Sequence, residues 1–540
     1  MDTADRSGVN SAKGTETEAR VESADRSTET EARVESADRS TEPEARVDGT
    51  DGRRGSGARA DGAGDRASGA ARVEGNDGVE VGVEDVTPRN SRGRVIFASL
   101  IGTTIEFYDF YIYATASVLV FPKLFFPHAT DLNAILSSFA VFGVAFVARP
   151  IGAFLFGHYG DRLGRKVTLV ASLLVMGVST FLIGVLPTAT NSVTTVLAPL
   201  LLVILRFLQG IALGGEWSGA ALLATENAPA GKRAVYGTFP QLGAPIGFIL
   251  ANLLYIAMSS ALSPEQFMAW GWRVPFLLSA VLVAVGLYVR LKLIESASFR
   301  KVVEQNAVEK LPMTAMFRNH TGRMVFGTLA MLATYVLFYL MTSFTLTFGT
   351  TPATKEAAAA AAAKTGKAFD AATFVPGMGI PRTEFLWMLI IGVVFFGVFT
   401  VLSGPWAEKM GRRNLVIGVS AAIAVFGALW QPLVSMGRPG AMILLVVGFA
   451  LMGTTFGPMA AYLPELFPSN VRYTGSAVAY NLASVIGAAP ASFVAVWLWQ
   501  KAHGSVVLVG LYLALSAVIT LIAVFFSRDT RDVAYEDNVA

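Results

Sequence analysis

Apolar runs of about 20 residues or more, the length that crosses a bilayer core, recur from Val95 almost to the C-terminus, separated by short polar loops. They predict spanning helices near residues 95–121, 134–157, 167–187, 195–225, 233–259 and 273–293. A second set is predicted near 322–349, 385–403, 413–436, 440–463, 474–499 and 505–527. A polar, basic connector runs from Lys292 to about Arg318, and a long loop, Thr350–Arg382, carries the alanine run Ala357–Ala363. The first 90 residues are a different material: Thr15–Ser27 is repeated as Thr28–Ser40, and no aromatic residue occurs. Such a stretch buries too little apolar area to offset its ordering entropy, so a disordered low-complexity extension is expected, either a docking tail or dispensable.

The expected division is an extension (1–90), an N-terminal six-helix bundle (91–295) and a cytoplasmic connector (296–321). A C-terminal six-helix bundle (322–528) with an extracytoplasmic loop (350–384), and a tail (529–540), complete it. The fold class is an all-α polytopic membrane protein with twelve spanning helices. Composition agrees: 53% of residues are hydrophobic and only 15% charged, against about 25% charged in a soluble domain. The chain has no cysteine, which excludes disulfides, thiolate metal sites and cysteine nucleophiles. A net charge of +3 with no continuous basic stripe argues against a nucleic-acid partner. The four histidines show no metal-ligand spacing. Neither a metal nor a cofactor is expected.

Orientation follows from Lys and Arg in short loops. Arg89, Arg92 and Arg94 precede the first helix; Arg162, Arg165 and Lys166 follow the second, and Lys232 and Arg233 the fourth. The connector, Lys409, Arg412, Arg413, Arg472, Arg528 and Arg531 fall on the same side. The opposite loops are poorer in basic residues, except for Thr350–Arg382. Both termini are expected to be cytoplasmic, which requires an even helix count. The polar N-terminus has no cleavable leader pattern, so the first spanning helix is expected to direct insertion.

The loop Gly157, Asp161, Arg162, Gly164, Arg165 and Lys166 has a counterpart in Gly404, Glu408, Lys409, Gly411, Arg412 and Arg413, each linking the second and third helices of its set. A second pair, Glu226 with Pro229 and Arg233, and Glu465 with Pro468 and Arg472, follows the fourth helix of each set with the same spacing. The chain is therefore a duplicated six-helix unit, as parallel repeats in transporters are. The first loop resembles the signature of the major facilitator superfamily. Glu106-Phe107-Tyr108-Asp109, the stretch Arg206 to Gln209 to Gly215-Glu216-Trp217, Pro464-Glu465-Leu466-Phe467-Pro468 and Trp270-Gly271-Trp272-Arg273 resemble its metabolite:proton symporter family. That family includes shikimate, 2-oxoglutarate, citrate, haloacid and proline/betaine importers. The resemblance runs from about Arg94 to Arg528; Phe107 departs from it, standing where members commonly carry Trp.

Glu106 and Asp109 lie one helical turn apart, well inside the first apolar run, with Arg149 inside the second and Arg206 inside the fourth. Each ionisable group near mid-membrane costs roughly 2.5–3.5 kcal/mol on insertion scales, so these must pair or line a cavity. Glu106, Asp109 and Arg206 are the candidate proton-coupling residues, with a structural charge pair as the plainer reading. Arg149, and Arg206 with Gln209 one turn away, are candidates for gripping a carboxylate, because a guanidinium matches it bidentately. The resemblance adds that Arg206 matches a fourth-helix motif of many proton-driven facilitators. Tyr335 and Tyr339 share a face of the seventh helix and are open to cavity lining or to aromatic packing. Gln241 and Asn481 are open to solute contact or to a bond between helices. Asp161, Arg162, Arg165, Glu226, Glu408, Arg412 and Glu465 lie at helix ends, where charge networks lock two halves together, so a gating role is expected.

The resemblance and these charges imply import of a small organic anion with protons, driven by the proton gradient, by a monomer in the plasma (inner) membrane. The alternative is a zwitterionic osmolyte such as proline or betaine. A non-transporting nutrient sensor is a weaker third reading, since no large signalling segment is present. No H-E-x-x-H pair, G-x-S-x-G elbow or Walker loop points to an enzyme.

Overall fold

The computed structural model describes residues 92–127, 131–292, 312–364, 371 and 374–531. The extension, most of the connector and the end of the tail, on which several expectations fall, lie outside them. Among the described residues twelve principal helices follow in order: α1 Arg92–Leu119, α2 Asp131–Leu163, α3 Arg165–Val185, α4 Ser192–Glu226, α5 Arg233–Ala261 and α6 Val274–Leu291. They continue as α7 Thr321–Thr350, α8 Arg382–Met410, α9 Arg412–Ala428, α10 Arg438–Glu465, α11 Arg472–Lys501 and α12 Val507–Phe525. Large apolar side chains such as Val147, Val196, Phe493 and Phe526 are exposed on the outer faces, the arrangement expected when lipid is the solvent.

Proline accounts for two of the points where the helices deviate from straight spans. A proline ring clashes with the carbonyl four residues earlier. Pro245 stands four residues after Gln241, where the first segment of α5 ends before Gly243–Ala261 resumes. Pro432 stands four residues after Ala428, where α9 ends before the short helix Trp430–Ser435. Eleven described helices are long and apolar enough to cross a membrane. The ninth predicted span is the exception, because this break divides it.

The duplication is visible in the packing. Helix α2 lies along α4 as α8 lies along α10, and α3 packs on α6 as α9 packs on α12. Contacts between the first and last six helices repeat too: α2 against α11, and α8 against α5. The repeated loop glycines Gly164 and Gly411 hold φ of 99° and 89°, a conformation that a side chain resists. Both halves thus turn from their second into their third helix in the same way.

Candidate functional site

Among the described residues, and apart from Asp161 at the end of α2, six charged side chains are sealed inside the first six helices: Glu106 and Asp109 on α1, Arg149 on α2, Arg206 and Glu216 on α4, and Arg290 on α6, none more than 6% exposed. Three acids balance three arginines, but they are not paired alike. Glu216 forms an ion pair with Arg290. Arg290 also donates to the Leu169 carbonyl at 2.5 Å, and its guanidinium fills the space left by Gly102 on α1. The sequence reading missed Arg290. It stands near the end of an apolar run, where a basic residue reads as part of the positive border.

Asp109 has no ion pair among the described residues. Its two oxygens accept hydrogen bonds from the Thr180 hydroxyl of α3 at 2.9 Å and the Ser279 hydroxyl of α6 at 2.6 Å. Gln209 donates to Thr180 at 2.7 Å and accepts from Arg206 at 3.1 Å. A relay therefore runs from the Arg206 guanidinium through an amide and a hydroxyl to a buried carboxylate. The rest of Arg206 is wrapped in rings, with its guanidinium carbon 4.0 Å from the Tyr113 centroid, 4.9 Å from Phe142 and 5.0 Å from Phe110. Its Nε and Nη2 meet no hydrogen-bond acceptor. Glu106 lies within electrostatic reach of Glu216, Arg149 and Arg290, and one of its oxygens has no donor.

Arg149 faces a cavity of about 40 Å³ between the halves, room for a few waters. Tyr111 from α1 lines it with Tyr335, Phe338 and Tyr339 from α7 and Tyr480 from α11. Among the described residues no carboxylate lines it, and Arg149 is its only cation. The guanidinium lies 4.9 Å from Phe146 and 5.0 Å from Phe110.

From the cavity toward the loop-motif end, the halves are bonded together. Trp217 of α4 stacks on Tyr480 with centroids 3.9 Å apart and planes 4° from parallel. Gln241 accepts from Trp217 at 2.7 Å and donates to the Phe456 carbonyl at 2.6 Å. Asn481 and the Tyr473 hydroxyl donate to the Gly214 and Gly215 carbonyls, each at 2.7 Å. At the end itself, Asp161 accepts from the Tyr473 and Thr474 backbone N–H groups at 3.2 and 2.9 Å and from the Thr474 hydroxyl at 2.8 Å. It caps the start of α11, which has unsatisfied N–H groups and a partial positive charge. The mirror contact exists: Glu408 accepts from the Ala234 N–H, at the start of α5, at 2.6 Å. Each acid of the first repeated loop thus caps the helix opened by the arginine of the second repeated motif in the other half.

A family model described as "Sugar (and other) transporter" matches residues 95–310 and 369–537. The chain is 51% identical over 450 residues, 83% of its length and 97% of the other's, to the inner membrane metabolite transport protein YhjE of Escherichia coli (strain K12). It is 34% identical, over 81% of its length and 95% of the other's, to the shikimate transporter of the same organism. Its fold matches the solved major facilitator proton:xylose symporter XylE with a TM-score of 0.66 at 16% identity, covering 83% of this chain and 98% of that one. This chain is a major facilitator superfamily transporter.

In this facilitator the expected site residues fall into three groups. Arg149, Tyr335 and Tyr339 line the cavity. Asp109, Arg206 and Gln209 form the relay beside it. Gln241 and Asn481 are engaged in bonds between helices of opposite halves. Among the gating candidates, Asp161 and Glu408 bridge the halves, while Arg412 bonds Glu408 at 2.8 Å and Glu465 at 3.4 Å within its own half. Glu465 also accepts from Thr530 at 2.5 Å. Arg162 is exposed, with His158 at 3.2 Å, and Glu226 ends α4. Arg165 opens α3, but its side chain lies outside the described residues. Sequence reasoning also missed Thr180 and Ser279, whose hydroxyls are unremarked in apolar helices until a carboxylate lies opposite.

Proposed function

We propose that this facilitator imports a small organic acid together with protons by alternating access. The observation that carries the reading is Asp109: a sealed carboxylate without an ion pair, held by two hydroxyls and tied through Gln209 to Arg206. An unpaired carboxylate is costly in this environment. Hydroxyls donate or accept as required, so this nest suits both the ionised and the protonated acid. Arg149 grips the solute carboxylate in the cavity, and Glu106, within reach of Arg149, links solute charge to the proton site. The two bundles, 91–295 and 322–528, rock about the cavity, closing the loop-motif end through Asp161 and Glu408 and opening it when those caps release. The protein works as a monomer in the inner membrane with both termini cytoplasmic, in keeping with its Lys and Arg asymmetry and with the name of its YhjE relative.

A zwitterionic osmolyte is the second reading, favoured by the aromatic rings around Arg149, since such rings also hold quaternary ammonium groups. Uptake into vesicles of labelled shikimate, 2-oxoglutarate, citrate, lactate, proline and betaine, with and without an inward proton gradient, separates them. Gradient-driven accumulation of an acid, collapsed by a protonophore, is expected. Accumulation of proline or betaine alone would replace the first reading with the second.

A further inference from the structure

Of the three arginines sealed in the first six helices, two stand outside the cavity wall. Arg290 is held by Glu216 and the Leu169 carbonyl. Arg206 is bound to Gln209, enclosed by rings and absent from the cavity wall. Among the described residues Arg149 alone presents a positive charge to the cavity: no Lys, His or second Arg lines its wall, and Arg206 shares only the Phe110 ring with it. Arg149 is buried, its Nε meets no acceptor, and it has no ion pair among the described residues. The wall opposite is made of rings from the last six helices. Three ring pairs involving these walls meet across the halves: Tyr111 with Phe338 at 6.4 Å, Phe146 with Tyr339 at 6.0 Å, and Trp217 with Tyr480 at 3.9 Å.

From this inventory we infer that the solute is a monocarboxylate on an uncharged ring, its carboxylate on Arg149 and its ring slotted between the aromatic faces of the two halves. The inference rests on the proposed function and narrows it. A second carboxylate would enter a wall with no further cation, and an uncompensated buried charge is strongly disfavoured. A ring body, in contrast, replaces the aromatic contacts that the halves lose as they part, offering faces that stack or meet edge to face. An open-chain acid gains less from these walls. The small space now present is consistent with a cavity that widens as the ring pairs separate.

The test is binding to the purified full-length protein, read as the rise in melting temperature with matched pairs of acids: benzoate against phthalate, and cyclohexanecarboxylate against cyclohexane-1,2-dicarboxylate, beside succinate and betaine. Each monoacid is expected to stabilise at a concentration about 100-fold lower than its diacid, the effect of one unpaired buried group. The shift should vanish in Arg149→Gln and return in part in Arg149→Lys. Diacids that bind as well as monoacids would overturn the single-carboxylate inference and leave proton symport of an acid standing. Stabilisation by betaine alone would overturn both. So would monoacid binding that survives Arg149→Gln as regards the role of Arg149, and absence of binding by every probe would overturn the inference outright.

Discussion

The first six helices seal Glu106, Asp109, Arg149, Arg206 and Glu216 well inside their lengths and Arg290 in the last turn of α6, whereas the buried charged groups described in the last six, Arg412, Glu465 and Arg472, all stand at helix ends, as Asp161 does in α2. In place of internal charge, the second half supplies rings and hydroxyls, and two of its helices contain π-helical turns, Leu340–Phe344 in α7 and Ser484–Ala488 in α11. Such turns recur at functional sites and loosen the regular ladder. The halves share a skeleton, down to the loop glycines and the acids that cap each other's helices. Their chemistry has diverged: one half is a charge-balanced block and the other a deformable aromatic wall. A charge-balanced interior tolerates little loss, while a wall of rings can be trimmed.

The harshest challenge to that contrast is Glu216→Gln. It leaves Arg290 unpaired in the interior, and breaking a buried pair from one side costs about 3–5 kcal/mol. A large fall in thermal stability is expected, with recovery in the double variant Glu216→Gln/Arg290→Gln; an unchanged melting temperature would show that the block is not stabilised by balance. Asp161→Ala removes the cap of α11 and should favour opening at the loop-motif end by about 1–2 kcal/mol. Because the chain has no cysteine, a single Ala477→Cys reporter can be labelled alone, and its rate should rise about 5- to 30-fold, the factor that such an energy represents. Glu408→Ala should act in the same direction but less, since Glu408 makes one bond across the halves and Asp161 makes three. Equal or reversed effects would break the mirror relation. The smallest effect is expected for Tyr335→Phe, which keeps the ring: a change in KM within about 3-fold at constant kcat, in line with the low end, about 0.5 kcal/mol, of a net hydrogen bond's worth.

Much of this was legible in the sequence because lipid makes polarity conspicuous. Glu106, Asp109, Arg149 and Arg206 stand out as ionisable residues in apolar runs, and the gate acids stand out because the duplication writes them twice. The relay was not legible: Thr180 and Ser279 sit on helices distant in sequence, and a hydroxyl in a membrane helix commonly bonds its own backbone. The committed role of Arg290 was hidden by its place at a helix border. Averaged hydropathy also hid the breaks in α5 and α9, although Pro245 and Pro432 mark them once the clash with the preceding turn is considered. For Gln241 and Asn481, residue type alone left solute contact and helix bonding open, and only the positions of the Phe456 and Gly214 carbonyls separate them.

The central claim is that Asp109 carries the coupled proton. The direct test compares wild type and Asp109→Asn in proteoliposomes, using whichever acid the uptake panel identifies. Uphill accumulation under an inward proton gradient is measured beside solute counterflow without one. The account predicts that Asp109→Asn loses accumulation and keeps counterflow, because the amide still fills the hydroxyl nest but cannot exchange a proton. A wild-type accumulation ratio in Asp109→Asn would contradict it.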